Sequence, residues 1–94
     1  MAIEYRHEAD RQRYTVLKDG ERVGVAEYRL GDGVIAFTHT EIDEDKRQRG
    51  MASGLVQYAL DDVRDTTELR VVAECPYVKH WLGEHPDYQE LQSR

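Results

Sequence analysis

The chain has 94 residues, of which 39% are hydrophobic and 34% charged, and its formal net charge is −6. This size and composition predict one small soluble domain, and no apolar run is long enough for a membrane span. The acidic balance argues against a general nucleic-acid-binding protein, because such proteins need a broad basic surface. With a single cysteine there is no internal disulfide. The charged, alternating N-terminus does not resemble a signal peptide, so we expect a cytoplasmic protein.

The first half of the chain predicts an antiparallel β-meander. Four runs with strand-like alternation cover residues 3–8, 13–18, 22–30 and 34–42, with short polar turns between them. Asp19-Gly20, between the second and third runs, is a strong hairpin signal. Gly24, inside the third run, predicts a bulge or a close approach of backbone.

The spacing of apolar residues changes from two to about four after residue 50. This periodicity predicts an amphipathic helix over residues 51–64, followed by a short fifth strand at 69–73. Because a helix connects them, the fourth and fifth strands should be parallel. Pro76 ends the fifth strand, and a second helix follows at about 77–84. The predicted fold class is therefore α+β (mixed α/β), with a meander, a β-α-β crossover and a C-terminal helix.

The segment between the fourth strand and the first helix predicts a phosphate site. Its sequence, residues 46–54, combines three basic residues with two glycines. Exposed backbone N–H groups and the positive end of a helix dipole favour an anion at such a turn. Arg47 and Arg49 can add charge-assisted hydrogen bonds. The alternative is a solvated basic loop that caps the helix.

Several motifs resemble one known family. Arg47-Gln48-Arg49-Gly50-Met51-Ala52 fits the Q/R-x-x-G-x-G/A acetyl-coenzyme A motif of the Gcn5-related N-acetyltransferases. His39-Thr40-Glu41-Ile42, Glu74-Cys75-Pro76-Tyr77-Val78, and Trp81-Leu82 before His85-Pro86-Asp87-Tyr88 extend the likeness. The whole pattern, over about residues 3–91, is similar to the small, single-domain, acetyltransferase-like members.

The resemblance implies acetyl-coenzyme A or coenzyme A as donor substrate, an amine acceptor (a small amine or a protein), and a compact acetyltransferase fold. It implies that the pantetheine arm lies between splayed fourth and fifth strands. The residues it places at the donor are Ile42, Arg47, Gln48, Arg49, Gly50, Met51, Ala52, Ser53, Cys75 and Tyr77. Only residues 9–12 separate the first two strands, where usual members have helices that help form the acceptor site. A coenzyme A-binding or acyl-coenzyme A-binding module with little or no turnover is therefore the alternative function.

Four residues are candidates for catalysis. His39 is a candidate general base or a strand histidine satisfied by a neighbour. Cys75 is a candidate acyl acceptor or a wall of the pantetheine channel. Glu41 can act as a base through water or be an exposed carboxylate, and Tyr77 can protonate the departing thiolate or pack against the donor. A Cys75–His39 pair requires the two side chains to meet.

Direct transfer to the amine is favoured over a covalent relay at Cys75. The sequence neighbours, Glu74 and Pro76, do not stabilise a thiolate, so His39 is the one residue expected to do so. His7 and His85 show no metal-ligand spacing with each other or with His39, and no metal is expected.

Overall fold

A computed structural model describes residues 2–43 and 50–94 of the chain. Its strands are β1 (Ile3–Glu8), β2 (Arg13–Lys18), β3 (Glu21–Gly31), β4 (Val34–Ile42) and β5 (Arg70–Ala73). Its α-helices are α1 (Met51–Thr66) and α2 (Pro76–Glu84), and short 3-10 segments cover Ala9–Arg11 and Pro86–Gln92. In the described part of the chain, no helix has the length and apolar character to cross a membrane.

The five strands form one sheet in the order β1-β2-β3-β4-β5. The first four are antiparallel neighbours, and β4 pairs with β5 in parallel. The predicted meander and crossover are therefore confirmed. Asp19 and Gly20 both have positive φ, 51° and 86°, which is the backbone that the predicted tight hairpin requires.

The ends of the elements differ from the prediction by one or two residues. Helix α1 extends to Thr66, two residues beyond the predicted end. The hydroxyl of Thr66 donates to the carbonyl of Asp62 at 2.6 Å, and that of Thr67 donates to the carbonyl of Val63 at 2.7 Å. The Val63 carbonyl also accepts from the Thr67 N–H at 3.1 Å, so the hydroxyls add further bonds to carbonyls of the last turn and support the longer helix.

The predicted irregularity at Gly24 is confirmed. The β2–β3 register shifts beside it, since Val16 is opposite Gly24 while Leu17 is opposite Arg22. A Cβ on Gly24 would lie 2.7 Å from Val16 Cγ1 and would also collide with Ile42. Glycine is therefore required here by the close packing of three strands, not by its conformational freedom.

The core lies between one face of the sheet and the two helices. In α1 the apolar residues that recur at helical spacing are buried: Met51, Leu55, Val56, Ala59, Leu60 and Val63. Tyr14 and Val16 of β2 belong to the same buried cluster as Val78 and Trp81 of α2. Because side chains alternate along a strand, Arg13 points to the opposite face, which no described helix covers.

Candidate active site

The parallel pairing of β4 and β5 stops halfway along β4. Residues 34–37 pair with residues 70–73, whereas β4 continues to Ile42. The carbonyl of Phe37 accepts from the N–H groups of both Glu74, at 3.0 Å, and Cys75, at 2.9 Å, and this ends the ladder. Pro76 then starts α2. Over residues 38–42, β4 has no described strand partner on its β5 side, so the two strands diverge and leave a slot.

The N-terminus of α1 lies beyond the end of β4. Its N-cap, Gly50, is left-handed with φ 81°, a conformation that favours glycine, and a Cβ there would meet nothing within 4 Å. The first intrahelical bond runs from Gly54 N–H to the Gly50 carbonyl at 2.8 Å. The N–H groups of Met51, Ala52 and Ser53 therefore have no intrahelical partner, and the first turn holds no acidic residue.

The side chains of this first turn have roles within the protein. Met51 is buried in the core, at 3% exposure. The hydroxyl of Ser53 accepts a hydrogen bond from Trp81 Nε1 at 2.9 Å and so ties α1 to α2. The two residues offer a ligand their backbone N–H groups. The predicted contacts at Arg47, Gln48 and Arg49 lie outside the described residues.

Cys75 is the N-cap of α2, and it is 5% exposed. Its thiol donates to the hydroxyl oxygen of Thr40, with Sγ and Oγ1 3.5 Å apart. Burial raises the pKa of the Cys75 thiol. Once the thiol ionises, the Thr40 hydroxyl can rotate and donate to the sulfur, and together with backbone N–H groups, including those of Val78 and Tyr77, it outweighs burial and lowers the pKa below its usual value. Thiolate stabilisation thus comes from the α2 terminus and β4, which corrects the expectation that only His39 could supply it.

His39 and Glu41 form an exposed ion pair on β4. His39 Nε2 lies 3.2 Å from Glu41 Oε2, and the two side chains are 53% and 69% exposed. Consecutive strand residues point to opposite faces, so His39 and Glu41 lie on one side of β4 and Thr40, with Cys75, on the other. Within residues 2–43 and 50–94 no hydrogen bond joins His39 to Cys75. The Cys/His pair is therefore not formed.

Two further predicted residues border the slot. Tyr77, in the first turn of α2, is 37% exposed. Burial and the nearby Glu84 carboxylate raise the pKa of the Tyr77 hydroxyl, which keeps it protonated at neutral pH. Ile42 is buried, at 5% exposure, and packs against Gly24. The side chain of Ile42 belongs to the core, so its backbone is the part that faces the slot.

Sequence reasoning missed the contacts that set the position of α2. Trp81 stacks on His85, with ring centroids 3.7 Å apart, and His85 Nδ1 lies 2.7 Å from the Trp81 carbonyl oxygen. Tyr88 donates to Asp61 of α1 at 2.7 Å. Thr40 was also missed, since the polar end of β4 was its only sequence signal. The aromatic and Tyr88 contacts fix the second half of α2 and the 3-10 segment after it, and the Thr40–Cys75 hydrogen bond holds the start of α2.

No three His, Cys, Asp or Glu side chains of residues 2–43 and 50–94 are grouped so that they could hold a metal ion. The described residues around the slot offer backbone amides, a thiol, a phenol and an imidazole–carboxylate pair.

The divergence of β4 and β5 beside a glycine-capped helix N-terminus agrees with the fold that the family resemblance implies. The sequence profile of the GCN5-related N-acetyltransferases matches residues 13–91 of this chain. The chain therefore belongs to the GCN5-related N-acetyltransferase family.

Similar proteins cover nearly the whole chain. Protein NATD1 of Gallus gallus is 31% identical over 93 residues, which are 96% of this chain and 83% of that protein. Protein NATD1 of Bos taurus is 32% identical, and that of Homo sapiens 31%, each alignment covering 96% of this chain and 80% of the relative.

The fold is also similar to that of a solved structure. The crystal structure of a ribosomal-protein-alanine N-acetyltransferase from Brucella melitensis biovar Abortus 2308 superposes with a TM-score of 0.58. The match covers 84% of this chain but 57% of that chain, at 20% sequence identity. At this identity the likeness concerns the fold alone.

Proposed function

We propose that the protein is an acetyl-coenzyme A-dependent N-acetyltransferase. The observation that carries the proposal is the slot where β4 and β5 diverge, with the open N-terminus of α1 at its end. An extended pantetheine arm has amide groups that can pair with the free edge of a strand, as an added strand would. The pyrophosphate would then meet the N–H groups of Met51, Ala52 and Ser53.

The remaining donor contacts follow from the same placement. Arg47, Gln48 and Arg49 precede Gly50, and we assign the two arginines to phosphate oxygens. Cys75, Tyr77 and the backbone of Ile42 border the slot and would face the acyl end of the donor. We place the reaction in the cytoplasm, in keeping with a free cysteine.

The chemistry we propose is direct transfer. The amine nitrogen attacks the thioester carbonyl carbon, so that a C–N bond forms and the C–S bond breaks. His39 takes the proton from the amine, and Glu41 at 3.2 Å stabilises the charged imidazole. The thiolate of coenzyme A leaves, and Tyr77 supplies its proton. In this scheme the base His39 and the acid Tyr77 lie on opposite sides of β4. The amine would attack from the side of His39, and the thiolate would leave on the side of Tyr77.

In this scheme Cys75 is a wall of the channel. A covalent relay would leave the acyl group on Cys75, on the side of β4 that faces away from His39, so His39 could not take the proton from the amine in the second step. Intact mass after incubation with acetyl-coenzyme A alone tests this. An acetyl adduct on Cys75 that an added amine discharges at the turnover rate would overturn direct transfer, whereas no adduct, with a Cys75→Ala variant that keeps most activity, supports it.

One observation favours the second candidate, a coenzyme A-binding module with little turnover. The connection between β1 and β2 is a 3-10 turn of three residues, Ala9–Arg11, so it supplies no helix to the face of the sheet that carries His39. Release of free thiol with a panel of amines separates the two functions. Steady thiol release supports the enzyme, and tight coenzyme A binding without release supports the module.

The donor site itself is tested by calorimetry on matched glycine variants. Gly50→Val should weaken coenzyme A binding, because a side chain would stand between the ligand and the helix N-terminus. Gly33 also has positive φ, 69°, and open space around it, but it lies in the β3–β4 turn at the other end of the sheet. Gly33→Val should be strained to a similar degree and still bind. Equal affinity in both variants, and in Arg47→Ala and Arg49→Ala, would refute this donor site.

A further inference from the structure

The face of the sheet that carries His39 and Glu41 holds a cavity of about 310 Å³. Its floor is the backbone and side chain of β3 around Val25, which lies directly opposite Glu41 of β4. Arg13, Arg22, Glu27 and Asp43 complete its charged walls. The cavity therefore reaches Glu41, the ion-pair partner of the proposed base His39, and it lies on the side from which an amine would approach.

Three of these five charged groups already have partners. Arg13 Nη2 lies 2.8 Å from Glu8 Oε1. Glu41 is paired with His39. Asp43 also has a partner.

Two lining charges have no ion-pair or side-chain hydrogen-bond partner among the described residues. They are the guanidinium of Arg22 and the carboxylate of Glu27, and they have opposite signs. Both lie on β3, five residues apart, so their Cα atoms are roughly 15 Å from each other along the strand. A ligand that satisfies both charges must be extended and must carry a cation at one end and an anion at the other.

The orientation of such a ligand follows from the register. Glu27 is the direct cross-strand partner of His39, and the Cβ atoms of such a pair are about 5 Å apart. The cationic end of the ligand therefore lies beside the proposed base. Arg22 lies at the other end of the cavity, close to the end of β4, because Gly24 is opposite Ile42.

We infer that the acceptor is an extended amine that carries a negative charge at its far end, with its ammonium group at Glu27 and its carboxylate at Arg22. This inference rests on the proposed function and names the substrate class for the same site. The shared chemistry is that of an ω-amino acid or of a peptide with an amine and an acidic side chain at a similar separation.

The test compares acceptors that differ only in the far-end charge. Thiol release is measured with 8-aminooctanoate, 8-aminooctanamide and 1,8-diaminooctane. We expect 8-aminooctanoate to have a kcat/KM about three- to fivefold above that of the amide, the effect of one exposed ion pair. Arg22→Glu should remove this preference and favour the diamine. Arg70→Glu, the same charge change on the exposed start of β5, should keep the wild-type preference.

Two further arms separate the possible failures. A peptide with a free amine and an aspartate at the same separation, compared with its asparagine counterpart, shows whether the natural source is a peptide. An NMR titration of coenzyme A-saturated protein with 8-aminooctanoate follows the Val25 amide independently of turnover.

The outcomes are distinct. Turnover of all three amines with equal kcat/KM, or a wild-type preference for the diamine, would overturn the acceptor class and leave the acetyltransferase proposal standing. No thiol release with any amine would refute the proposed function. In that case a shift of the Val25 amide resonance that Arg22→Glu abolishes would still support binding of the zwitterionic ligand between Glu27 and Arg22. A Val25 resonance that does not move would refute it.

Discussion

Replacing Gly24 by alanine should destabilise the protein at the junction of three strands. The added Cβ would lie 2.7 Å from Val16 Cγ1 and 3.1 Å from the Glu41 carbonyl oxygen, and it would collide with Ile42 Cδ1. The Ile42 methyl is the end of a flexible side chain and can move. Val16 has a stiff, branched side chain and is 0% exposed, and the Glu41 carbonyl is backbone, so neither can give way without a shift of a strand.

The magnitude follows from core overpacking, which costs about 1–3 kcal/mol when a well-packed site must accept an extra methyl group. No left-handed backbone is involved at this glycine, so the cost is one of packing. For a domain of this length each kcal/mol corresponds to roughly 4–8 °C in Tm. We therefore expect Gly24→Ala to lower Tm by roughly 5–20 °C.

Gly83→Ala is the matched control, because a Cβ at Gly83 in α2 would meet nothing within 4 Å. This change should be neutral or should stabilise by up to about 1 kcal/mol, since alanine loses less backbone entropy in a helix. Urea unfolding followed by circular dichroism measures both variants. If Gly24→Ala is as stable as the wild type while Gly83→Ala behaves as expected, the argument from close packing is wrong.

Three other perturbations test separate parts of the structure. Tyr14→Phe removes the 2.7 Å hydrogen bond from the buried Tyr14 hydroxyl to Asp62 and should cost about 1.5–3 kcal/mol at pH 7 in urea unfolding. Burial first, and then the hydrogen bond to Asp62, raise the pKa of Tyr14. The contribution of Tyr14 to the free energy of unfolding is therefore present below pH ~10 and falls above it, where the tyrosine of the unfolded chain ionises. The difference in stability between Tyr14→Phe and the wild type should narrow in that range. Arg94→Ala should cost about 1 kcal/mol in the same assay, because the guanidinium donates to carbonyls at and after the end of α1, the shortest at 2.9 Å. Thr40→Val should raise the pKa of Cys75, measured as the pH dependence of thiol alkylation in the folded protein.

Each of these has a defined contrary result. A Tyr14→Phe variant whose stability deficit stays constant from pH 8 to about 11 would show that ionisation of this tyrosine is not linked to folding. Arg94→Lys keeps the positive charge but lacks the planar guanidinium with its several N–H donors. Wild-type stability in this variant would show that Arg94 acts through its charge at the end of the helix dipole and not through its hydrogen bonds. For Thr40, the control is Thr38→Val, whose hydroxyl donates to the Glu27 carbonyl at 3.4 Å. An equal shift in both threonine variants would contradict a direct bond to the thiol.

The sequence determined the elements of this protein and their order. Strand alternation, the turn at Asp19-Gly20 and the four-residue spacing after Gly50 are local properties, because each depends on which side of a single element is apolar. The parallel pairing of β4 and β5 also follows from the sequence, since a helix between two neighbouring strands permits little else. The family motif suggested acetyl-coenzyme A as the donor, which stays a proposal, and the motif's basic residues lie outside the described part of the chain.

Tertiary structure decided which side of each strand meets which partner. The sequence put Cys75 and His39 on the strands that flank the slot, but it could not tell that Cys75 contacts Thr40 while His39 pairs with Glu41 on the other side. That outcome depends on the extra residue in β4 where the register with β3 shifts, and on the angle at which α2 leaves β5, neither of which has a local signal.

His7 shows the same limit most clearly. In the sequence it is one polar residue in an alternating strand. In the fold its Nε2 lies 2.6 Å from the Tyr28 hydroxyl, its Nδ1 lies 3.3 Å from Asp62, and its ring stacks on Tyr14 with centroids 4.1 Å apart. Asp62 lies on α1, far from His7 in the sequence. It reaches His7 only because α1 starts near the end of β4 and packs across the sheet. The periodicity of a sequence predicts that one face of a strand or helix is buried. Which partner covers that face depends on packing between distant segments of the chain.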